Sequence, residues 1–346
     1  EVLMLTTVLS GGLIGLIFGF ILQRTRFCLT GGFRDMYIAR NNTLFYAFLI
    51  AITVESIGVL SLIKLGIIGN PYEEFSVLGA IVGSYLFGIG IVLAGGCATG
   101  TWYRAGEGLL GSWVALFFYM TSAAAMKSGF LVPLNQLIAK RWVINDDLAG
   151  QLGIPVWYFL VFLVAITSFI VIRELRKPRR QIATLPSKYK GVRHYLFEKT
   201  YHKYFAGFLI GLVALIAWPA SQLTGRVGGL GITTPSAHLI SYIITGDSKQ
   251  LGWGVFLVLG IFLGSFLAAK GSREFRWRLP DLSTIGKSTL GGIFMGIGAS
   301  WAGGCTIGNG LTATAIFSSK GWIALPVTIL GVWTASYIIF VKPNKN

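Results

Sequence analysis

Two of the three cysteines in this chain sit in the same surroundings, 208 residues apart. Residues 83–100, which contain Ala94-Gly95-Gly96-Cys97, and residues 291–308, which contain Ala302-Gly303-Gly304-Cys305, share nine of eighteen positions. Paired glycines let a chain leave a helix and approach another backbone closely. A short helix beginning at Cys97 or Cys305 presents free N–H groups, a setting that binds anions without a full positive charge. The thiol adds a polarizable, weak donor suited to soft, sulfur-containing ligands. A lone cysteine in an apolar helix is ordinarily a small packing residue. Two inside a repeated motif read instead as one site assembled from two halves.

Cys28 lies in a second glycine-interrupted stretch, Thr25 to Phe33, which is matched in the other half by Gly225 to Pro235. Short, glycine-broken segments at corresponding places point to broken or re-entrant helices. Such backbone is tolerated at membrane depth only where it is buried in protein or lines a cavity. Arg26, Arg34 and Arg104 flank these segments and are placed to attract an anion at an entrance. Arg26 and Arg34 also fit an ordinary loop-charge bias, so Arg104 is the most informative of the three. Glu55 falls inside an apolar run, where a carboxyl group either carries a proton or cation or serves as a structural hydrogen-bonding group. Phe27 and Trp301, next to the motifs, wall a narrow pore or simply pack. No metal or cofactor is expected: of three histidines, His194 and His202 lie in a basic stretch and His238 is remote from either cysteine motif. There is no Cys-x-x-Cys and no basis for a disulfide framework.

The elements that position these residues are membrane helices. The chain is 54% hydrophobic and only 12% charged, with apolar runs of membrane-spanning length recurring along it. Nine spans are expected, at 5–22, 44–63, 76–94, 109–126, 154–172, 204–220, 251–269, 287–302 and 321–341. The runs do not alternate, which excludes a β-barrel. The fold class is an all-α polytopic membrane protein. No small-residue cleavage pattern follows the first run and Arg24 and Arg26 come after it, so it is expected to be a span rather than a signal peptide.

The net charge of +16 does not indicate nucleic acid. Ten Lys/Arg fall between Arg173 and Lys203, five between Lys270 and Lys287, four between Arg24 and Arg40, and two are Lys342 and Lys345. The connections at 64–75, 127–153 and 221–250 hold six against five acids. This is the positive-inside bias. It places the N-terminus outside, the C-terminus in the cytoplasm and the two cysteine motifs in opposite orientations. The organisation expected is an N-terminal repeat with a linking span (1–173), a basic cytoplasmic linker (174–203) and an inverted C-terminal repeat (204–346), in a 4+1+4 arrangement. Gly15-xxx-Gly19 and Gly207-xxx-Gly211 fit the same pairing, or ordinary close helix packing.

Cys28 within Arg26-Phe27-Cys28-Leu29, together with the two Gly-Gly-Cys motifs in opposed halves, resembles the YeeE/YedE family of membrane proteins that import sulfur compounds. The resemblance covers essentially the whole chain. It implies a multi-pass protein of the bacterial cytoplasmic (inner) membrane, surrounded by lipid and shaped like an hourglass with a cysteine-lined waist. It also implies thiosulfate uptake rather than an enzymatic activity, and a cytoplasmic sulfur-carrier partner of the TusA type. Some members are linked to selenium instead. On this reading thiosulfate meets Cys305, Cys97 and Cys28 in turn, with Gly95, Gly96, Gly303, Gly304, Arg26, Arg104 and Glu55 along the path. Two rival expectations are a membrane sulfurtransferase that forms a cysteine persulfide, and a transporter of another anion with incidental thiols. Cys28 has no counterpart in the second half, where Gly231 is expected at roughly its place.

Overall fold

The computed structural model describes residues 2–176, 191–199 and 201–343. Half of the expected basic linker, residues 177–190 and 200, lies outside the described residues. The first half runs α1 (Val2–Thr25), α2 (Leu29–Ile38), α3 (Thr43–Lys64), α4 (Val77–Leu93), α5 (Ala98–Gly106), α6 (Leu110–Ser128) and α7 (Val132–Ala139). Then come α8 (Leu148–Leu152), α9 (Val156–Leu175) and α10 (Val192–Phe197). The second half runs α11 (Lys203–Gln222), α12 (Thr233–Thr245), α13 (Trp253–Gly271), α14 (Leu282–Trp301) and α15 (Ser319–Ser336). A two-stranded antiparallel ribbon, β1 (Glu74–Ser76) with β2 (Val143–Asn145), is the only sheet among the described residues.

Among the described residues seven helical segments are long and apolar enough to cross a membrane, and the bent pair α6–α7 makes eight if it counts as one span. The protein is an all-α polytopic membrane protein, as its composition requires. The run expected at 287–302 lies within α14, which is absent from the apolar set. Its first turns carry Ser283, Thr284 and Lys287, and its glycine-rich remainder is wedged between α4 and α6. A helix so covered does not need lipid-facing side chains on every side.

The packing occurs twice. Helix α1 lies on α13 through Gly15 and Gly19, where a Cβ would fall on the carbonyls of Leu257 and Ile261. Helix α11 lies on α3 in the same way, through Gly207 over Ala47 and Gly211 over Ala51. Helices α4 and α14 cross at Gly83, Gly90, Gly291 and Gly298, each against the other helix's backbone. Likewise α4 packs on α15 as α14 packs on α6, and α2 on α15 as α12 on α6. Small residues let these backbones close on each other, which is where helix association in lipid gets its dispersion energy. Helix α9 stands apart. Only 17% of its apolar window is buried, against 33–61% in the other spans, so it faces lipid at the edge of the bundle.

Candidate functional site

Helix α4 ends at Leu93, and Gly95 turns the chain with φ +71° before Cys97 caps α5. In the second half α14 ends at Trp301 and Gly303 turns with φ +70° before Cys305. A side chain in this left-handed region costs about 1–2 kcal/mol, which glycine avoids. The Cys97 Sγ accepts from the Gly100 N–H at 3.4 Å. The Cys305 carbonyl accepts from the Asn309 N–H at 2.8 Å, where a π-helical turn spans Gly308–Ala313. Cys28 caps α2 and its carbonyl accepts from the Gly32 N–H at 2.9 Å. All three thiols therefore stand at helix starts, and all three are buried. Cys97 lines a small space together with Phe27 and Leu29, which flank Cys28, and with Ile307, two residues beyond Cys305.

Cys305 opens on a cavity of about 660 Å³, the vestibule, walled by the Gly225–Pro235 stretch, the Gly303–Gly304 turn and Asn309. Arg226 lines it, donating to the carbonyls of Gly228 (3.4 Å) and Gly229 (3.0 Å), with its guanidinium 5.5 Å from the Trp253 ring centre. Lys320 lies over Gly303 and is 3.9 Å from the Asp146 carboxylate. Asp146 also accepts from the Ser318 hydroxyl (2.6 Å) and the Lys320 N–H (2.8 Å). Burial raises Asp146 above the ordinary carboxylate range, with Lys320 and the Ser318 hydrogen bond opposing.

Around Cys97 the space shrinks to about 10 Å³, walled by Leu22, Phe27, Leu29, Phe48, Ile210 and Ile307. That is room for about one water. Beside it Arg104 folds back from the last turn of α5. Its Nη2 donates to Cys28 Sγ at 3.3 Å, its Nη1 to the Gly95 carbonyl, and its Nε to the Tyr103 hydroxyl at 3.4 Å. One guanidinium thus joins the first cysteine to the turn that carries the second. Gly96 lies beside it, its Cβ position 3.5 Å from Arg104 Nη1, an ordinary contact distance.

Glu55 is fully buried on α3. One of its oxygens accepts from Trp218 Nε1 at 2.9 Å, and the other has no hydrogen-bond partner among the described residues. Trp218 and the neighbouring Thr312 line the vestibule, so Glu55 stands directly behind its wall. Arg26 is not at that end. It pairs with Glu107 (2.9 Å) and Glu274 (2.8 Å) where α1, α5 and α13 finish. Arg34 pairs with its neighbour Asp35 at 2.9 Å, away from the thiols.

Two further placements differ from the sequence reading. The cap of α12, which stands where Cys28 caps α2, is Ile232 rather than Gly231. His238, remote in sequence from the cysteine motifs, lines the vestibule with Cys305 because α12 packs onto α13 and α6. No grouping of potential metal ligands forms among the described residues. Arg226, Lys320 and Asn309 also emerge at the site, Asn309 bracing the turn by donating to the carbonyls of Ala302 (2.8 Å) and Gly304 (3.3 Å). For one of them there was a signal. Outside the loop stretches tallied above, the chain has only two basic residues, Arg104 and Lys320, and they are the two that lie over the Gly-Gly-Cys turns.

A family model described as sulphur transport matches residues 24–334. The thiosulfate transporter TsuA of Escherichia coli (strain K12) is 53% identical over 343 residues, covering 99% of this chain and 97% of the relative. The thiosulfate transporter TsuA of Spirochaeta thermophila is 33% identical over 345 residues, covering 96% and 98%. The probable transporter YedE of Escherichia coli is 42% identical over 101 residues, 29% of this chain and 25% of the relative.

Proposed function

The chain belongs to the sulphur transport family, and on that premise we propose that it carries thiosulfate across the bacterial cytoplasmic membrane. Two relatives matched along nearly their full lengths are named for that substrate. The observation that carries the proposal is the series of thiols: Cys305 on the vestibule, Cys97 on a small space walled by the neighbours of Cys28 and by Ile307, and Cys28 against Arg104. Thiosulfate is a soft sulfur dianion. Arg226 and Lys320 gather it in the vestibule, each thiol offers a weak S–H donor, and the helix starts offset its charge. Thiol contacts bind weakly enough to release the ion to the next site, which conduction requires. The relatives are named transporters, and no covalent cysteine intermediate is needed.

The connections that wall the vestibule belong to the loops poor in Lys and Arg. By the positive-inside rule the vestibule faces outward, the C-terminus lies in the cytoplasm and the N-terminus outside. Residues 1–173 and 204–346 are then inverted halves around a basic linker at 174–203, with α9 as the connecting span. The doubled packing of α1 on α13 and α11 on α3 supports this layout. A dianion entering against an inside-negative potential is opposed by about 4.6 kcal/mol per 100 mV. A TusA-type carrier consuming sulfur at the basic face, or a proton carried on Glu55, offsets that cost.

Proteoliposomes given labelled thiosulfate test the assignment, with sulfate and nitrite as competitors. Saturable uptake that a tenfold excess of sulfate leaves intact supports it, and equal competition by both ions replaces it with a general anion channel. A pH effect follows as well. Because Asp146 is raised by burial, it takes up a proton above the usual carboxylate range. Protonation removes the counter-charge to Lys320 and makes the vestibule more positive. The apparent KM is expected to fall on mild acidification in the wild type, and Asp146→Asn to hold the low KM at every pH.

A further inference from the structure

The end of the bundle opposite the vestibule carries a second cluster of charge. Helix α13 connects the two: its start lines the vestibule and Glu274 follows its end, about 28 Å away over 19 residues. There Arg26 Nη1 binds both Glu107 oxygens (3.0 and 2.9 Å) and its Nη2 binds Glu274 at 2.8 Å. Gln23 donates to the same Glu274 oxygen at 2.8 Å, and Arg24 lies 3.6 Å from it. The loop after α13 is also stitched to the turn after α5, Arg278 N–H donating to the Gly108 carbonyl at 3.0 Å and Leu110 N–H to the Arg278 carbonyl at 3.2 Å.

The turn that carries Arg26 is one that the second half makes with glycine. Helix α1 ends in Gln23-Arg24-Thr25-Arg26 and α11 in Gln222-Leu223-Thr224-Gly225. The turns match bond for bond: Arg26 N–H to the Gln23 carbonyl as Gly225 N–H to that of Gln222, then Phe27 to Leu22 as Arg226 to Ser221. The fourth residue is left-handed in both, at φ +51° for Arg26 and +80° for Gly225. The second half uses glycine, whereas the first keeps an arginine in a region that side chains adopt less readily. Strained residues persist where something else requires them.

Arg26 is coupled directly to the pathway. The next residue, Phe27, walls the small space around Cys97, and the one after it is Cys28. Glu107 follows α5, the nine-residue helix that has Cys97 at one end and Arg104, which holds Cys28, near the other. We propose that Arg26, Glu107 and Glu274 form an ion-pair gate at the inner end of the pathway, which holds the Arg26–Cys28 turn in place and is released when a dianion at the inner face draws Arg26 from the carboxylates. The proposal rests on the transport pathway assigned above. Glu107 is buried while Glu274 is part-exposed, so Glu274 is the partner that yields first. Release lets the Arg26–Cys28 turn swing, which moves Phe27 off the space at Cys97 and opens Cys28 to the inner face.

The test is the labelling rate of Cys28 by a membrane-impermeant maleimide applied from the Arg26 side, in a Cys97→Ala, Cys305→Ala background. Glu274→Gln is expected to raise the rate at least tenfold, and Glu274→Asp, which keeps the charge, to leave it near the parent's. Misfolding would speed labelling from both faces, whereas gate release speeds it from the inner face alone. Millimolar thiosulfate on the inner face should accelerate the parent and add nothing to Glu274→Gln. An unchanged rate in Glu274→Gln, or acceleration from both faces, overturns the gate. Labelling requires no uptake, so a failed thiosulfate assay with accelerated labelling would remove the substrate assignment and leave the gate standing.

Discussion

Arg104→Gln is expected to lower uptake about 100-fold while the protein still inserts and extracts as the wild type does. The guanidinium makes three contacts from one half-buried position: Cys28 Sγ at 3.3 Å, the carbonyl of Gly95, and the Tyr103 hydroxyl at 3.4 Å. A charge-assisted hydrogen bond to a buried partner contributes up to about 3 kcal/mol, which is roughly two decades in rate or affinity. Glutamine is neutral and shorter, so it cannot reach both Cys28 and the Gly95 turn. Arg104→Lys separates charge from geometry: the charge stays but the planar fork that serves both partners is lost. An intermediate rate for lysine is expected. A lysine variant as slow as glutamine would mean that the fork, rather than the charge, matters at this position. Measurement of initial uptake rates with matched amounts of folded protein decides it.

The second large effect concerns folding. Gly15→Val should remove most folded protein from the membrane, to below about a tenth of wild type, because α1 and α13 touch backbone to backbone there. A Cβ at Gly15 would stand 2.9 Å from the Leu257 carbonyl carbon and 3.0 Å from the Gly260 Cα. Those atoms belong to a helix backbone and do not rotate aside. Overpacking a tight core typically costs 1–3 kcal/mol even where side chains are free to adjust, and here the helices must separate along their length. Gly12→Val, one turn earlier on the same helix, is the internal control. Nothing lies within 4 Å of a Cβ at Gly12. Its variant should extract and run as a single species by size-exclusion chromatography in wild-type yield.

Much of this was legible in the sequence. The Gly-Gly-Cys repeat marked two helix breaks, and both appear with glycine in the left-handed region at Gly95 and Gly303. The Gly15 and Gly207 pairs, read as either symmetry or packing, mark the same close approach in each half. The exact burial of each span was not legible, because helices apolar all around look alike whether they face protein or lipid. Helix α14 was legible as the run at 287–302, although its polar first turns keep it out of the set of helices apolar along their length. Long-range polar contacts were invisible as well. Arg104 meets Cys28 across 76 residues and Arg26 meets Glu274 across 248, with no spacing rule to connect them. Arg26 was read as a cation free to attract an anion, and no pattern announced that two distant carboxylates share it. The mirrored Gln-x-Thr endings of α1 and α11 were the available clue, since they put Arg26 where the other half uses Gly225.

The most direct test of the central claim is thiosulfate uptake into proteoliposomes holding the wild type, Cys97→Ala or Cys305→Ala. Both residues are small and buried at helix starts, so alanine should leave the fold intact. The account expects uptake by the wild type and its loss in both variants at equal amounts of folded protein. Wild-type rates in both variants would contradict it, and would make the repeated cysteines part of the scaffold.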